Sequence, residues 1–205
     1  MLTQTEQIAA VPPSLASLVV HEGTASSSYV DTLCAPRAPT RHLSDAVHAV
    51  CLLHGHHPGL VDHAAARAEA VPDWLPEAAS SFAAERAWLA GLVAAAGPLP
   101  STPGQAEAEA TISGQRHAFD MLAGSDRAGC ALGAVAALLL DWVAIHRLLD
   151  VAALRFGVVP QPYAFVHPGI VESHRRAALF AGQQVLAQHR GLWQLLESRA
   201  AARGR

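Results

Sequence analysis

Residues 126–156 read DRAGCALGAVAALLLDWVAIHRLLDVAALRF, and this stretch decides the fold. It is apolar nearly all round at helical spacing, with Asp141 alone among Ala134, Leu138, Ile145 and Leu148. A helix with no wet face must be wrapped by others. Ser125-Asp126 is suited to cap its start, and Gly157 ends it.

The punctuation on either side defines its partners. Upstream, Gly97-Pro-Leu-Pro-Ser-Thr-Pro-Gly is too rich in proline for regular structure. Thr102-Pro103-Gly104-Gln105 then makes a helix start, with Thr102 as cap and Gln105 at the capping-box position. Helices are therefore expected over 73–97 and 103–124. Downstream, Pro160 and Pro162 form a second connector, and a helix is expected from about 168 to 199. Earlier, residues 42–54 form a helix stopped by Gly55 and Pro58, and 60–70 a shorter one. Residues 1–39, with Pro12-Pro13, Ser26 to Ser28, Pro36 and Pro39, read as an irregular arm with a short helix over 15–20. From residue 40 onward no segment alternates with the period of a strand.

The expected fold is all-α: one helical-bundle domain over 40–205. Four helices of roughly 30–50 Å run up and down, and helix 42–54 packs on them as an additional N-terminal helix. Short links make the helices over 73–97, 103–124 and 126–156 antiparallel neighbours.

The 205 residues suit one domain, and 51% are apolar. Only 15% are charged, which leaves a bland surface compatible with a homo-oligomer. A net charge of -3 argues against a nucleic-acid or polybasic membrane partner. The 43 Ala, the absence of Lys and Asn, and basic residues that are all Arg reflect base composition rather than function. No positive segment opens the chain. The apolar run 128–140 is too short to span a bilayer, so a cytoplasmic protein is expected. Three cysteines without CxxC spacing exclude a disulfide frame or thiolate zinc site. No nucleophile elbow, Walker loop or dinucleotide fingerprint occurs. Trp74, Trp88, Trp142 and Trp193 fall at helical core positions.

The informative residues are polar ones on apolar faces. Glu85 lies in the stripe of Leu75, Ala78, Phe82, Leu89 and Leu92, with Arg86 at its edge. Gln115 lies among Ala108, Ile112 and Phe119, flanked by Glu109 and Arg116. His174 and His189 fall on the stripe of Ala178, Ala181, Val185 and Leu192. His54 ends the face of Leu43, Val47 and Val50. Asp45-x-x-His48 falls on the polar side of that helix.

Buried carboxylates need partners. Residue counting puts Glu85, Gln115 and Arg116 at one level, with Asp141 a turn away and His189 near it. Two arrangements meet the need. One is an interior network of Glu85, Arg86, Gln115, Arg116 and Asp141. The other is a metal site drawn from His54, Glu85, Glu109, Asp141, His174 and His189, holding iron, manganese or zinc. The His54-Gly-His-His57 and Asp62-His63 segment is a further zinc or iron candidate, or else a hydrated corner.

With that bundle and its inward acids, residues 42–200 resemble the ferritin-like helical bundles. The resemblance implies a di-metal centre handling oxygen or iron, with Glu85, Asp141 and Glu109 as its carboxylates. The family's two Glu-x-x-His motifs are missing here. LSDAVHAVCLLHGHHPGLVDHA (43–64) and AGPLPSTPGQAEAEA (96–110) are also similar to a small family of uncharacterised bacterial proteins. The functional expectation is a non-enzymatic bundle that acts through association, with no cofactor. The alternatives are a metal-binding bundle with oxidoreductase or metal-handling activity and an apolar small-molecule pocket.

Overall fold

A computed structural model describes residues 8–10, 12–67 and 71–203. Among these, eight α-helices run in chain order: α1 (Pro13–Glu22), α2 (Ser28–Cys34), α3 (Thr40–His54), α4 (Leu60–Arg67), α5 (Trp74–Ala96), α6 (Gln105–Ala123), α7 (Cys130–Phe156) and α8 (Arg175–Arg203). The all-helical expectation holds. The end of the expected helix over 60–70 lies outside the described residues.

α7 is the axis of the molecule. Its residues from Gly133 to Leu139 are all buried, as are Asp141 and Trp142. It touches α1, α2, α3, α4, α5, α6 and α8. By length and apolarity it is long enough to cross a membrane, which the shorter run 128–140 understates, but most of that stretch is covered by the other helices. The longest contact is with α8. There Gly133 allows backbone-to-backbone approach, since a Cβ on it would fall 2.1 Å from the Ala178 Cα.

Helix α3 packs on α5, α6, α7 and α8. It stands between α5 and α6, whose short link had suggested direct neighbours. Every face of α3 that meets a helix is a buried face, and this explains why Ser44, Asp45 and His54 are all enclosed.

The N-terminal arm differs most from expectation. Residues 1–39 were expected to be irregular apart from a short helix over 15–20; α1 contains that helix, but the arm also carries a 3-10 turn (Thr24–Ser26) and α2. Pro13 suits the first turn of α1. The Ser27 hydroxyl accepts from the Val30 N–H and caps α2. Leu15, Tyr29, Val30 and Leu33 join the core. The arm also supplies β1 (Ile8–Ala10), which pairs antiparallel with β2 (Gly169–Val171) in the register Ala9 opposite Ile170. Three residues are too few to show alternation in the sequence.

Two expected helix starts shift. The residue before α6 is Gly104, and Thr102 instead donates to the Pro100 carbonyl. α7 begins after Gly129, while Ser125 accepts from the Arg127 N–H. α8 starts at Arg175, because residues 169–174 form β2 and a 3-10 turn.

Candidate functional site: two carboxylate–histidine clusters

Asp141 sits midway along α7 and is 1% exposed. Its partners come from the arm and from α8. The Thr24 N–H donates to Oδ1 at 2.7 Å, and the Thr24 hydroxyl donates to Oδ2 at 2.7 Å. Trp193 Nε1 in turn donates to the Thr24 hydroxyl at 2.9 Å, fixing its rotamer. The chain can approach this closely only because residue 23 is glycine: a Cβ there would lie 2.4 Å from Asp141 Oδ1.

The third hydrogen bond to Asp141 comes from His189, fully buried on α8. Its Nδ1 lies 2.6 Å from Asp141 Oδ2. Its Nε2 lies 3.0 Å from Nε2 of His54, the last residue of α3. A carboxylate can only accept, so His189 Nδ1 carries a proton. One more proton then fills the gap between the two Nε2 atoms. His54 stacks against Phe119 at 5.2 Å and meets Trp142 edge-on at 5.2 Å. Burial, followed by the nearby His189 and His56, holds His54 well below the ordinary histidine range, so it is neutral.

Glu85 on α5 is 5% exposed. Its Oε2 accepts from Trp142 Nε1 at 2.8 Å and from His146 Nδ1 at 2.7 Å. His146 Nε2 lies 2.8 Å from the Gln161 carbonyl. Both neighbours of this ring are acceptors, so both nitrogens donate and the ring is an imidazolium. Burial opposes that charge. The Glu85 hydrogen bond and negative charge, with the Gln161 carbonyl and Asp150, outweigh it and raise His146 above the ordinary value. Trp88 and Tyr163 flank the ring at 4.9 and 5.5 Å.

The two clusters touch through consecutive residues of α7. Asp141 belongs to one, while Trp142 donates to the acid of the other and meets His54 of the first.

The structure thus brings together His54, Asp141 and His189 of the expected metal set, with Glu85 beside them. Glu109 is exposed and accepts from Gln105 Nε2. His174 lines a cavity together with Gly129, away from these clusters. Neither joins the site. The expected Arg–carboxylate pairing is replaced. Arg86 turns to Asp62, with Nη1 and Nη2 at 3.0 and 3.1 Å from its oxygens. Arg116 lies near His56 and meets neither core acid. Gln115 is buried as expected, and its Nε2 donates to the Gln188 carbonyl at 3.0 Å.

The His-rich corner is a helix junction. Asp62 accepts from the Gly59 N–H and pairs with Arg86 and His57. Among the described residues, no three His, Cys, Asp or Glu side chains gather in a way that could hold a metal ion.

Asp45 is a further correction. It is 2% exposed rather than solvated, and it is gripped by Arg199 and Arg203 of α8. Sequence reasoning also missed Thr24 and His146. His146 was recoverable, because α7 has so little wet surface that a histidine on it is apt to be inside. Thr24 was not, since it acts partly through its backbone N–H.

These observations define the class: an all-helical protein with two adjoining carboxylate–histidine clusters buried around a central helix. Residues 19–204 match a family of unknown function (DUF6975), and the chain belongs to that family. No curated protein and no solved structure matches it.

Proposed function

We propose that this is a non-enzymatic helical protein that acts through association, built on a ferritin-like up-and-down arrangement with α3 inserted. The observation that carries this reading is the closure of the interior acids. Asp141 spends both oxygens on Thr24 and His189, and Glu85 is held by Trp142 and His146. Three described cavities are lined by other residues. Both oxygens of Asp141 and Oε2 of Glu85 are occupied by donors of the fold itself, and none of these residues lines a described cavity, which supports a structural rather than a catalytic role. Exposed apolar side chains on the outer face of α7, Val143 and Leu154, support self-association. Sedimentation of the untagged protein should give a homo-oligomer whose mass falls on dilution. A monomer at every concentration contradicts self-association.

A specific observation favours a second reading, a metal-binding protein. The Nε2 atoms of His54 and His189 face each other, and Asp141 stands behind His189 as carboxylates stand behind metal-bound histidines. These two rings would supply two ligands for iron, manganese or zinc. Elemental mass spectrometry separates the readings. The first expects no stoichiometric metal. About one equivalent of metal, lost on His189→Ala, would establish the second.

A further inference from the structure

Seven helices pack against α7, yet one narrow row of it stays open. From Gly133 to Leu154 only Val143, Arg147 and Leu154 are exposed. Val143 is 51% and Leu154 70% exposed. Asp150 joins them with its side chain 37% exposed. At about 100° per residue these four fall within about 60° of arc, so they form one straight row along the helix. Half-buried Leu140 and Val151 flank it. Large apolar side chains left outside on the central helix of the fold mark a contact surface.

The two charges in the row are unpaired. Arg147 passes near the Cys34 thiol and makes no ion pair or hydrogen bond among the described residues. Asp150 stands three residues further on but does not meet it. Its Oδ1 turns inward, 3.5 Å from His146 Nε2, and Oδ2 keeps the accessible surface.

Along the chain the row reads apolar, positive, negative, apolar: Val143, Arg147, Asp150, Leu154. In an isologous pair, residue i of one copy meets j of the other, and j meets i. A two-fold axis crossing α7 between Leu148 and Leu149 lays two copies antiparallel. Val143 then meets Leu154 of the second copy and Arg147 meets its Asp150, each twice. A parallel pair would set Arg147 against Arg147 and Asp150 against Asp150, which repel. The row is therefore complementary to its own reversal, and the occupant that fits it is a second copy of this chain. From Leu140 to Leu154 the row is roughly 21 Å long. One helix pair of that length makes a small interface, suited to a weak dimer.

We propose that the open row of α7 is a self-recognition surface, on which a second copy packs antiparallel with Val143 against Leu154 and Arg147 against Asp150. The proposal rests on the association reading above and names its partner and surface.

Sedimentation equilibrium on untagged protein, with charge variants, tests it. The parent should form a reversible dimer. Arg147→Asp sets acid against acid, and Asp150→Arg sets base against base, so each should weaken self-association by about tenfold or more. An equal mixture of the two variants should dimerise again, because an acidic copy then meets a basic one at both contacts. Should Asp150→Arg fail to fold, Val143→Glu and Leu154→Arg serve instead, since both positions are more than half exposed. Each of these alone should weaken the dimer, and their mixture should restore it. A parent dimer that neither charge variant weakens would overturn this surface and leave the association reading standing. Folded variants that stay monomeric when mixed would overturn the antiparallel register. A parent that is monomeric at every concentration would remove the surface and self-association together.

Discussion

Asp141 and Glu85 are both core carboxylates with a histidine on one oxygen, yet the two histidines meet different groups on their far side. The ring on Asp141 passes its second nitrogen to another histidine. That partner has no acidic neighbour to support a charge, and burial keeps it neutral. The ring on Glu85 passes its second nitrogen to a main-chain carbonyl, which can only accept. It must therefore donate twice and carry the charge. The lesson is that burial alone does not set a histidine's state. The groups around the ring do: His54 has no acid beside it, whereas His146 has an acceptor on each nitrogen.

The clusters differ as well in where their partners come from. Asp141 ties the arm to α7 and α8 through Thr24 and His189. Glu85 ties α5 to α7, and through His146 it holds the connector that leads from α7 to β2. The first is a tertiary clamp across the whole chain, and the second is a local latch.

Several variants would break or sharpen this contrast. The largest effect belongs to Asp141→Ala, which strands the Thr24 and His189 donors in the core. Chemical denaturation should show a loss of about 3–5 kcal/mol, and a loss under about 1 kcal/mol would mean that the clamp is not stabilising. Glu85→Gln comes next, at about 1.5–3 kcal/mol. The amide can still accept from Trp142 but cannot balance an imidazolium. Gly23→Ala forces the arm off Asp141 and should cost about 1–3 kcal/mol. Limited proteolysis should then cut near residue 23 faster than in the parent protein.

The pH response sharpens the contrast further. The folded pKa of His146 lies above its ordinary value of 6.5. Its contribution is fully present below that value and is lost as pH rises through the folded pKa. His54 lies well below the same ordinary value. The unfolded chain therefore binds the extra proton first, and stability falls as pH drops below 6.5. Each arm should slope by at most about 1.4 kcal/mol per pH unit. Melting temperature against pH should show a maximum near the ordinary histidine value. Glu85→Gln should flatten the alkaline arm and leave the acid arm intact.

The helices and most inward-facing acids were legible in the sequence, because a helical wheel responds to apolar spacing. Glu85, Gln115, Asp141, His54 and His189 all stood out in that way, and all are buried. Of their partners only His189, which residue counting puts near Asp141, was legible. Arg86 and Arg116 adjoin the right positions, but long side chains reach other faces, and the donors turned out to be an indole, two imidazoles and a threonine. Asp45 was misread because the wheel assumes one buried face, whereas α3 packs against several helices. The arm was misread because its proline and serine residues signal turns equally well as helix starts. Thr24 sits in such a turn, and its contribution depends on glycine at position 23 rather than on any periodic pattern.

The most direct test of the contrast is a titration of the imidazole nitrogens by ¹⁵N-edited NMR. The account predicts that at neutral pH both nitrogens of His146 are protonated, while His54 stays neutral to well below the ordinary histidine range. A neutral His146 at neutral pH, or a His54 that titrates at the ordinary value, would contradict it.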